Sequence, residues 1–181
     1  MGYGLGVHRL AAVALALLLA APVAAADGPL SKGRMNVGLG ANGGSGFFTI
    51  GASFGYFVID RLRPALSVAY TWHSGSGVTS HEVDTDLSLR YYLVDARPIA
   101  PFLVIDGGYI HLAYEGAFDD RFDFFSVGGG AGILWAVTRS FGLEVTVGLI
   151  DYLGADQILF DSDVLPEGVS FKWSFGFSVM F

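Results

Sequence analysis

The residues of this chain that could do chemistry fall at even spacing. Asp84, Asp86 and Arg90 share one parity within "VDTDLSLRYY", and Asp106, Glu144 and Lys172 hold the same place in three other alternating stretches. In an extended chain, residues two apart project from one face, so all six belong to one side of whatever these stretches build. Carboxylates and cations gathered on an enclosed face can neutralise one another in a ladder of ion pairs, or they can pass ions. An enclosed charge without a partner is expensive, which favours the ladder as a polar core over a gated ion path. Counted from one end of the strands, Arg90 stands level with Glu144 and Lys172 with Asp84, with Asp86 and Asp106 slightly below.

Other motifs tempt and lack their context. "GLGANG", Gly38 to Gly43, fits G-x-G-x-x-G, but a dinucleotide fingerprint needs a helix to follow and none is indicated. "GASFG" around Ser53 fits G-x-S-x-G, yet a nucleophile elbow sits on a sharp strand-to-helix turn and this pattern sits mid-strand. Asp119, Asp120 and Asp123, then Asp161 and Asp163, supply oxygen ligands of the kind calcium takes, without a spaced loop motif. No cofactor and no resident metal are expected.

The elements that must position these residues follow from a recurring period of two, the mark of strands. Met35, Val37 and Leu39 alternate with Asn36, Gly38 and Gly40; Phe48 to Tyr56, Leu66 to Trp72, Val83 to Tyr91, Leu103 to Tyr109, Phe125 to Trp135, Leu143 to Leu149 and Phe171 to Phe181 behave alike. The fifth of these is blurred. That makes about eight strands of about ten residues, the length a tilted strand needs to cross a bilayer. Hydrophobic residues make up 52% of the chain and charged residues 15%, against about 25% charged in an ordinary soluble domain. There is too little charge to dress a water-facing surface. A narrow bore cannot hold the bulky face, so that face meets lipid, the small polar face fills the lumen, and the sheet closes so that every backbone amide is paired.

The first residues are of another kind. "MGYGLGVHR", the apolar "LAAVALALLLAAPVA" and Ala24 to Ala26 before Asp27 read as a cleavable signal peptide over 1–26, followed by a periplasmic N-terminal segment over 27–34 and a barrel over 35–181. The chain has no cysteine, which excludes a disulfide scaffold and a lipidated anchor, and its net charge of −7 argues against nucleic acid, which needs a basic face. The connections "VIDRLR", "VDARPI" and "VTRS" are tight, whereas "GGSG", "SGSGVTS", "HLAYEGAFDDRFD" and "DYLGADQILFDSDVLPEG" are mostly longer, glycine-rich or acidic. Short turns at one end and longer loops at the other are the outer-membrane pattern.

The phrases "GYFVIDRLRPALSVAY" and "GAGILWAVTRSFGLEVTVGL", the run "DLSLRYYL" and the final Phe181 resemble the small outer-membrane β-barrels of the OmpA/OmpX type over essentially the whole mature chain. The resemblance implies an all-β fold, an eight-stranded antiparallel up-and-down transmembrane barrel in the bacterial outer membrane. Phe175, Phe177, Val179 and Phe181 look like the signal by which the barrel assembly machinery receives its clients. Expected partners are outer-membrane lipid and lipopolysaccharide, which divalent ions would link to the acidic loops; the barrel is expected to be a monomer and not an enzyme. Its work would be surface structure or interaction through the outer loops. A narrow channel is one alternative. A lipid-modifying enzyme using His73, His81 or His111 at the outer rim is another; resemblance to the deacylase type would require a histidine with a serine two residues on, whereas Leu112 and Ala113 follow His111, and Ser74 and Gly75 follow His73.

Overall fold

The computed structural model describes residues 28, 30–44, 47–75, 78–95, 97–115, 121–153 and 169–181. The expected signal peptide and Asp119, Asp120, Asp161 and Asp163 lie outside the described residues. The strands are β1 (Met35–Gly44), β2 (Phe47–Tyr56), β3 (Leu62–Gly75), β4 (Val78–Tyr92), β5 (Ile99–Glu115), β6 (Arg121–Ala136), β7 (Phe141–Leu153) and β8 (Ser170–Met180). They close into a barrel in sequence order, each antiparallel to its neighbours, with β8 returning to β1.

The two faces divide as the alternation requires. Leu87 is 68% exposed, Ile105 64%, Phe125 61% and Phe171 68%, and their outward neighbours, from Phe48 to Trp173, form a continuous apolar belt. Burying one such side chain is worth about 1.5–3 kcal/mol, so a belt of this extent is stable only against hydrocarbon. Inward positions carry Asn36, Ser67, Asp84, Ser126, Thr146 and Ser178, with glycines between them.

Those glycines have a packing role, because a wide side chain on one strand lies flat over a residue with no Cβ on the next. A methyl built on Gly55 would sit 3.0 Å from Arg63 Cδ and 3.1 Å from its Cγ. One built on Gly132 would collide with the Phe102 ring and with the Val145 carbonyl. This explains the blurred fifth strand: β5 is apolar on both faces, and its inward Phe102 lies over a β6 stripped of side chains to receive it.

Two expectations need correction. The lumen is not small and polar throughout. Leu30, Phe57, Tyr92, Phe102, Leu134 and Met180, each no more than 2% exposed, form a plug with Ala100 and Val104 at the short-turn end. Ile110, Leu112 and Phe124 form a second cluster toward the other end, with Tyr114, Phe122 and Tyr152 packed against it. The strands also outrun the ten residues expected: β3 has 14, β4 15, β5 17 and β6 16. Residues assigned to loops in "SGSGVTS" and "HLAYEGAFDDRFD" belong largely to ladders, through pairs such as Gly75 with Val78 and Ala113 with Arg121. Inward aromatics hold this extension together. Tyr114 meets Phe122 edge-on at 5.9 Å between centroids, as Phe124 meets Tyr152, a geometry that adds about 0.5–1.5 kcal/mol per pair beyond burial.

Residues 30–34 fold beneath the barrel. Gly33, in the left-handed region at φ 87°, turns the chain, its amide donates to the Phe57 carbonyl and the Arg61 amide to the Leu30 carbonyl. Arg34 Nη1 donates to the Gly28 carbonyl at 2.9 Å, and Leu30 enters the plug. The last strand also departs from expectation at its end. Phe175 and Phe177 are exposed at 38% and 49%, but Val179 is half-buried and Phe181 is 9% exposed. Reciprocal backbone bonds to Met35 tie Phe181 to the start of β1, so this last aromatic ring is covered instead of facing outward with the others.

Candidate functional site

Directly above the plug, strand geometry aims Arg63 from β3, Arg90 from β4 and Glu144 from β7 at one point. Arg63 donates to both Glu144 oxygens, Nη1 to Oε1 at 3.0 Å and Nη2 to Oε2 at 3.1 Å, the two-pronged geometry that guanidinium and carboxylate favour. Arg90 Nη1 donates to the same Oε2. The cations rest on the plug, Arg63 5.8 Å from the Phe57 ring centroid and 5.4 Å from that of Tyr92, Arg90 5.4 Å from Phe102. Arg63 is 1% exposed; a charge this enclosed persists only because carboxylate and ring faces replace its water.

Farther along the bore the balance reverses. Lys172 of β8 bonds Asp106 of β5, and the pair lies over Gly128, where an added methyl would be 2.8 Å from Asp106 Oδ2 and 3.0 Å from Lys172 Nζ. Asp84 and Asp86 each keep an enclosed Oδ1 without a hydrogen-bond partner, and Glu82 lies 3.6 Å from His73 Nε2. Glu82, Asp84, Asp86 and Asp106 thus face Lys172 and one histidine, leaving this half acidic. A cavity of about 390 Å³ runs beside them, bounded on the opposite side by Gly38, Gly40, Gly51 and Ser53.

All six ionisable residues singled out in the sequence line this cavity. Arg90 and Glu144, placed level by counting, are joined; Lys172, placed level with Asp84, bonds Asp106. Arg63 was missed, although it supplies the two-pronged half of the triad. It stands in "VIDRLRP", read as a turn, yet the parity of Ala65 and Ser67 carried back two residues would have aimed it inward. Glu82 was missed for the same reason, β4 starting earlier than its apolar alternation.

At the long-loop rim a second group sits on the outward face. Tyr109 Oη donates to Asp123 Oδ1 at 2.7 Å, and His111 Nδ1 lies 2.6 Å from the same oxygen. Tyr70 and His81 bond one another on the adjoining strands. The G-x-S-x-G and G-x-G-x-x-G matches lie within β2 and β1, and a methyl on Gly38 would run into Ser53 Oγ, so these residues pack against each other across the ladder. Among the described residues no three His, Asp or Glu side chains are grouped to hold a metal ion.

No family model matches the sequence, and no curated protein is similar to it by sequence. Solved structures are similar in fold. The N-terminal β-barrel domain of Pseudomonas aeruginosa OprF superimposes with a TM-score of 0.59 at 17% identity, over 83% of this chain and 98% of that one. The outer membrane protein OprG of Pseudomonas aeruginosa gives 0.54 at 13% identity, over 86% and 99%. A major outer membrane protein of Thermus thermophilus gives 0.54 at 14%, over 82% and 99%. The chain therefore has the fold of the small bacterial outer-membrane β-barrels, the architecture that its likeness to the OmpA/OmpX type implies.

Proposed function

We propose that this protein is an integral outer-membrane barrel with a closed bore, whose work is done at its outer surface and not by conduction. The observation that carries this reading is the plug at the short-turn end: Phe57, Tyr92, Leu134 and Met180 are fully enclosed, and the Arg63–Glu144–Arg90 triad is seated on it. Water-filled passage needs a continuous polar bore, and aromatic rings packed across it leave no room for a hydrated ion. The polar side chains above the plug then act as a core that fixes the register of the strands. Surface structure, or contact with lipopolysaccharide and other molecules through the long-loop end, is the work left to such a barrel. The test is single-channel recording in planar bilayers: the purified protein is expected to give no steady conductance steps, and Phe102→Ala, which thins the plug, is expected to produce them. Steady conduction by the unaltered protein would overturn the reading.

A second reading rests on one arrangement. His111 held by Asp123 at the membrane-facing rim has the form of an oriented general base, as a lipid-modifying enzyme would need. Mass spectrometry of lipid A from cells expressing the protein or its His111→Ala variant tests it; a modification that appears with the protein and vanishes with the variant would establish the enzyme.

A further inference from the structure

The short-turn end, which faces the periplasm in barrels of this kind, is cationic. Each of its three turns carries one arginine: Arg61 between β2 and β3, Arg97 between β4 and β5, and Arg139 between β6 and β7. Beneath them the segment 30–34 adds Lys32 and Arg34. The carboxylates near these five cations are Asp60 and Asp95, and among the described residues neither is ion-paired with any of them. Asp60 accepts from the backbone amide of Lys32 at 2.7 Å, and Asp95 lies against Gly28, where an added methyl would be 2.9 Å from its Oδ2. At the other end of the barrel the connections are acidic, and Arg121 is the one lysine or arginine in their sequences.

These like charges crowd one another. Arg34, 5% exposed, donates to the Gly28 carbonyl at 2.9 Å and to the carbonyls of Arg139 and Met180 at 3.4 Å, which draws the N-terminal segment, the last short turn and the end of β8 together. Burial, and then the Arg97 charge nearby, hold this guanidinium below its ordinary pKa. An anion brought to the rim would relieve that repulsion.

The same turns are apolar as well as cationic. Ile59 precedes Arg61, Val94 precedes Arg97 and Val137 precedes Arg139, and all three apolar side chains are exposed. Turns that meet only water are ordinarily polar; cations interleaved with exposed aliphatic side chains suit the boundary between acyl chains and head groups. Arg61 shows the posture such a boundary requires. Its Nη1 donates to the Leu93 carbonyl at 3.3 Å, and its guanidinium stands 5.8 Å from the ring centroid of Tyr91, an exposed ring of the outward belt. The charge therefore lies on the lipid-facing side of the rim, and Arg97 and Arg139 are exposed beside their own turns. A guanidinium offers paired donors to a phosphate, and a head group with net negative charge answers cations that lack carboxylates, whereas a zwitterionic one brings its own cation.

We propose that the short-turn rim binds anionic phospholipids of the inner leaflet, with Arg61, Arg97 and Arg139 on the head groups and Ile59, Val94 and Val137 against the first carbons of the acyl chains. This goes beyond the closed-bore reading, because it concerns the opposite end of the barrel and holds whether or not the bore conducts. The experiment purifies the full-length barrel from neutral detergent micelles containing equal amounts of phosphatidylglycerol and phosphatidylcholine with identical acyl chains, and counts the co-purifying lipid by mass spectrometry. Phosphatidylglycerol should be retained at least about tenfold over phosphatidylcholine. The triple substitution Arg61→Asn, Arg97→Gln, Arg139→Gln should bring the two within about twofold of each other. Asparagine is used at Arg61 because φ there is 67°, a conformation it accepts readily, and heat-modifiable migration identifies the folded form of each variant. Arg121→Gln, at the other end, should leave the preference unchanged. Soluble glycerol phosphate at the lipid's concentration should not displace phosphatidylglycerol, since it has no chain to meet the apolar side chains. Equal retention of the two lipids, a preference that survives the triple substitution, its loss in Arg121→Gln, or displacement by glycerol phosphate would each overturn the proposal.

Discussion

The wall built from β4 to β7 and the wall built from β8, β1 and β2 obey the same alternation and carry opposite loads. On the first, every inward level holds something wide: Phe102 over Gly132, the Arg90–Glu144 contact, Lys172 reaching across to Asp106, then Leu112 with Phe124. On the second, Met180 of β8 joins the plug and Lys172 leans across to the first wall, but between them the inward side chains are Thr49, Ser53 and Ser174 with glycines between, and the cavity lies against these. The ladders differ too: β1 and β8 are in register only from Asn36 with Met180 to Gly40 with Gly176, whereas β4 to β7 are matched almost end to end, so the difference in cohesion comes both from the shorter ladder and from what stands on the inner face. A barrel of this size can therefore be a packed core on one side and a thin, hydrated wall on the other, and substitutions of one chemical kind should have unequal effects on the two sides.

The largest effect is expected on the packed side, from Glu144→Ala. It leaves Arg63, 1% exposed, beside Arg90 with no carboxylate to answer either. Removing one partner of a buried pair costs about 3–5 kcal/mol. The fraction of folded barrel, followed by gel migration across a urea series in detergent, should shift by that amount; a change below about 1 kcal/mol would mean that water reaches Arg63 and that the plug is not dry. Glu144→Gln, which keeps the shape and one acceptor, should lose less.

Next comes Gly132→Ala. Its new methyl would meet the Phe102 ring and, behind it, the Val145 carbonyl. The ring can rotate away, but the backbone of the neighbouring strand cannot, so the wall must bulge or Phe102 must leave its place. Overpacking of this kind costs about 1–3 kcal/mol. Pairing it with Phe102→Ala separates the causes: if the ring is the obstacle, the double variant loses less than the sum of the two single ones.

How much of this was legible in the sequence depends on which physical rule governs each residue. The sides of the sheet were readable because parity is absolute: once Phe125 is outward, Ser126 is inward. So were the strand order and the presence of Arg90, Glu144, Asp106 and Lys172 in one bore. Partner choice was not, because Lys172 selects Asp106 over Asp84 through the stagger between strands and the vacancy above Gly128, and neither is a property of any one segment. The plug was hidden for a related reason. Phe102 and Leu134 are inward residues on strands whose outward faces are equally apolar, so alternation gives no contrast there. Phe181 misled because the outward phase of Phe175 and Phe177 stops where β8 does, and the next side chain is covered where the backbone closes onto Met35.

The smallest effect, and the sharpest contrast with Gly132, is expected from Gly40→Ala on the thin wall. The same methyl is added to an inward glycine of a barrel strand, but here its one near neighbour is the Phe175 carbonyl at 3.3 Å. That carbonyl belongs to the first residue of β8 beyond the matched register, where the strand can yield by a few tenths of an ångström without breaking a ladder bond to β1. Against this small repulsion stands the backbone entropy that glycine loses on folding, about 0.5–1 kcal/mol relative to alanine. The two nearly cancel, and stability should stay within about 1 kcal/mol of the unaltered protein in the urea series that registers the loss from Gly132→Ala. A loss at Gly40 as large as that at Gly132 would show that the β1–β8 seam is packed as tightly as the opposite wall, and the division of the barrel into a filled side and a thin side would not stand.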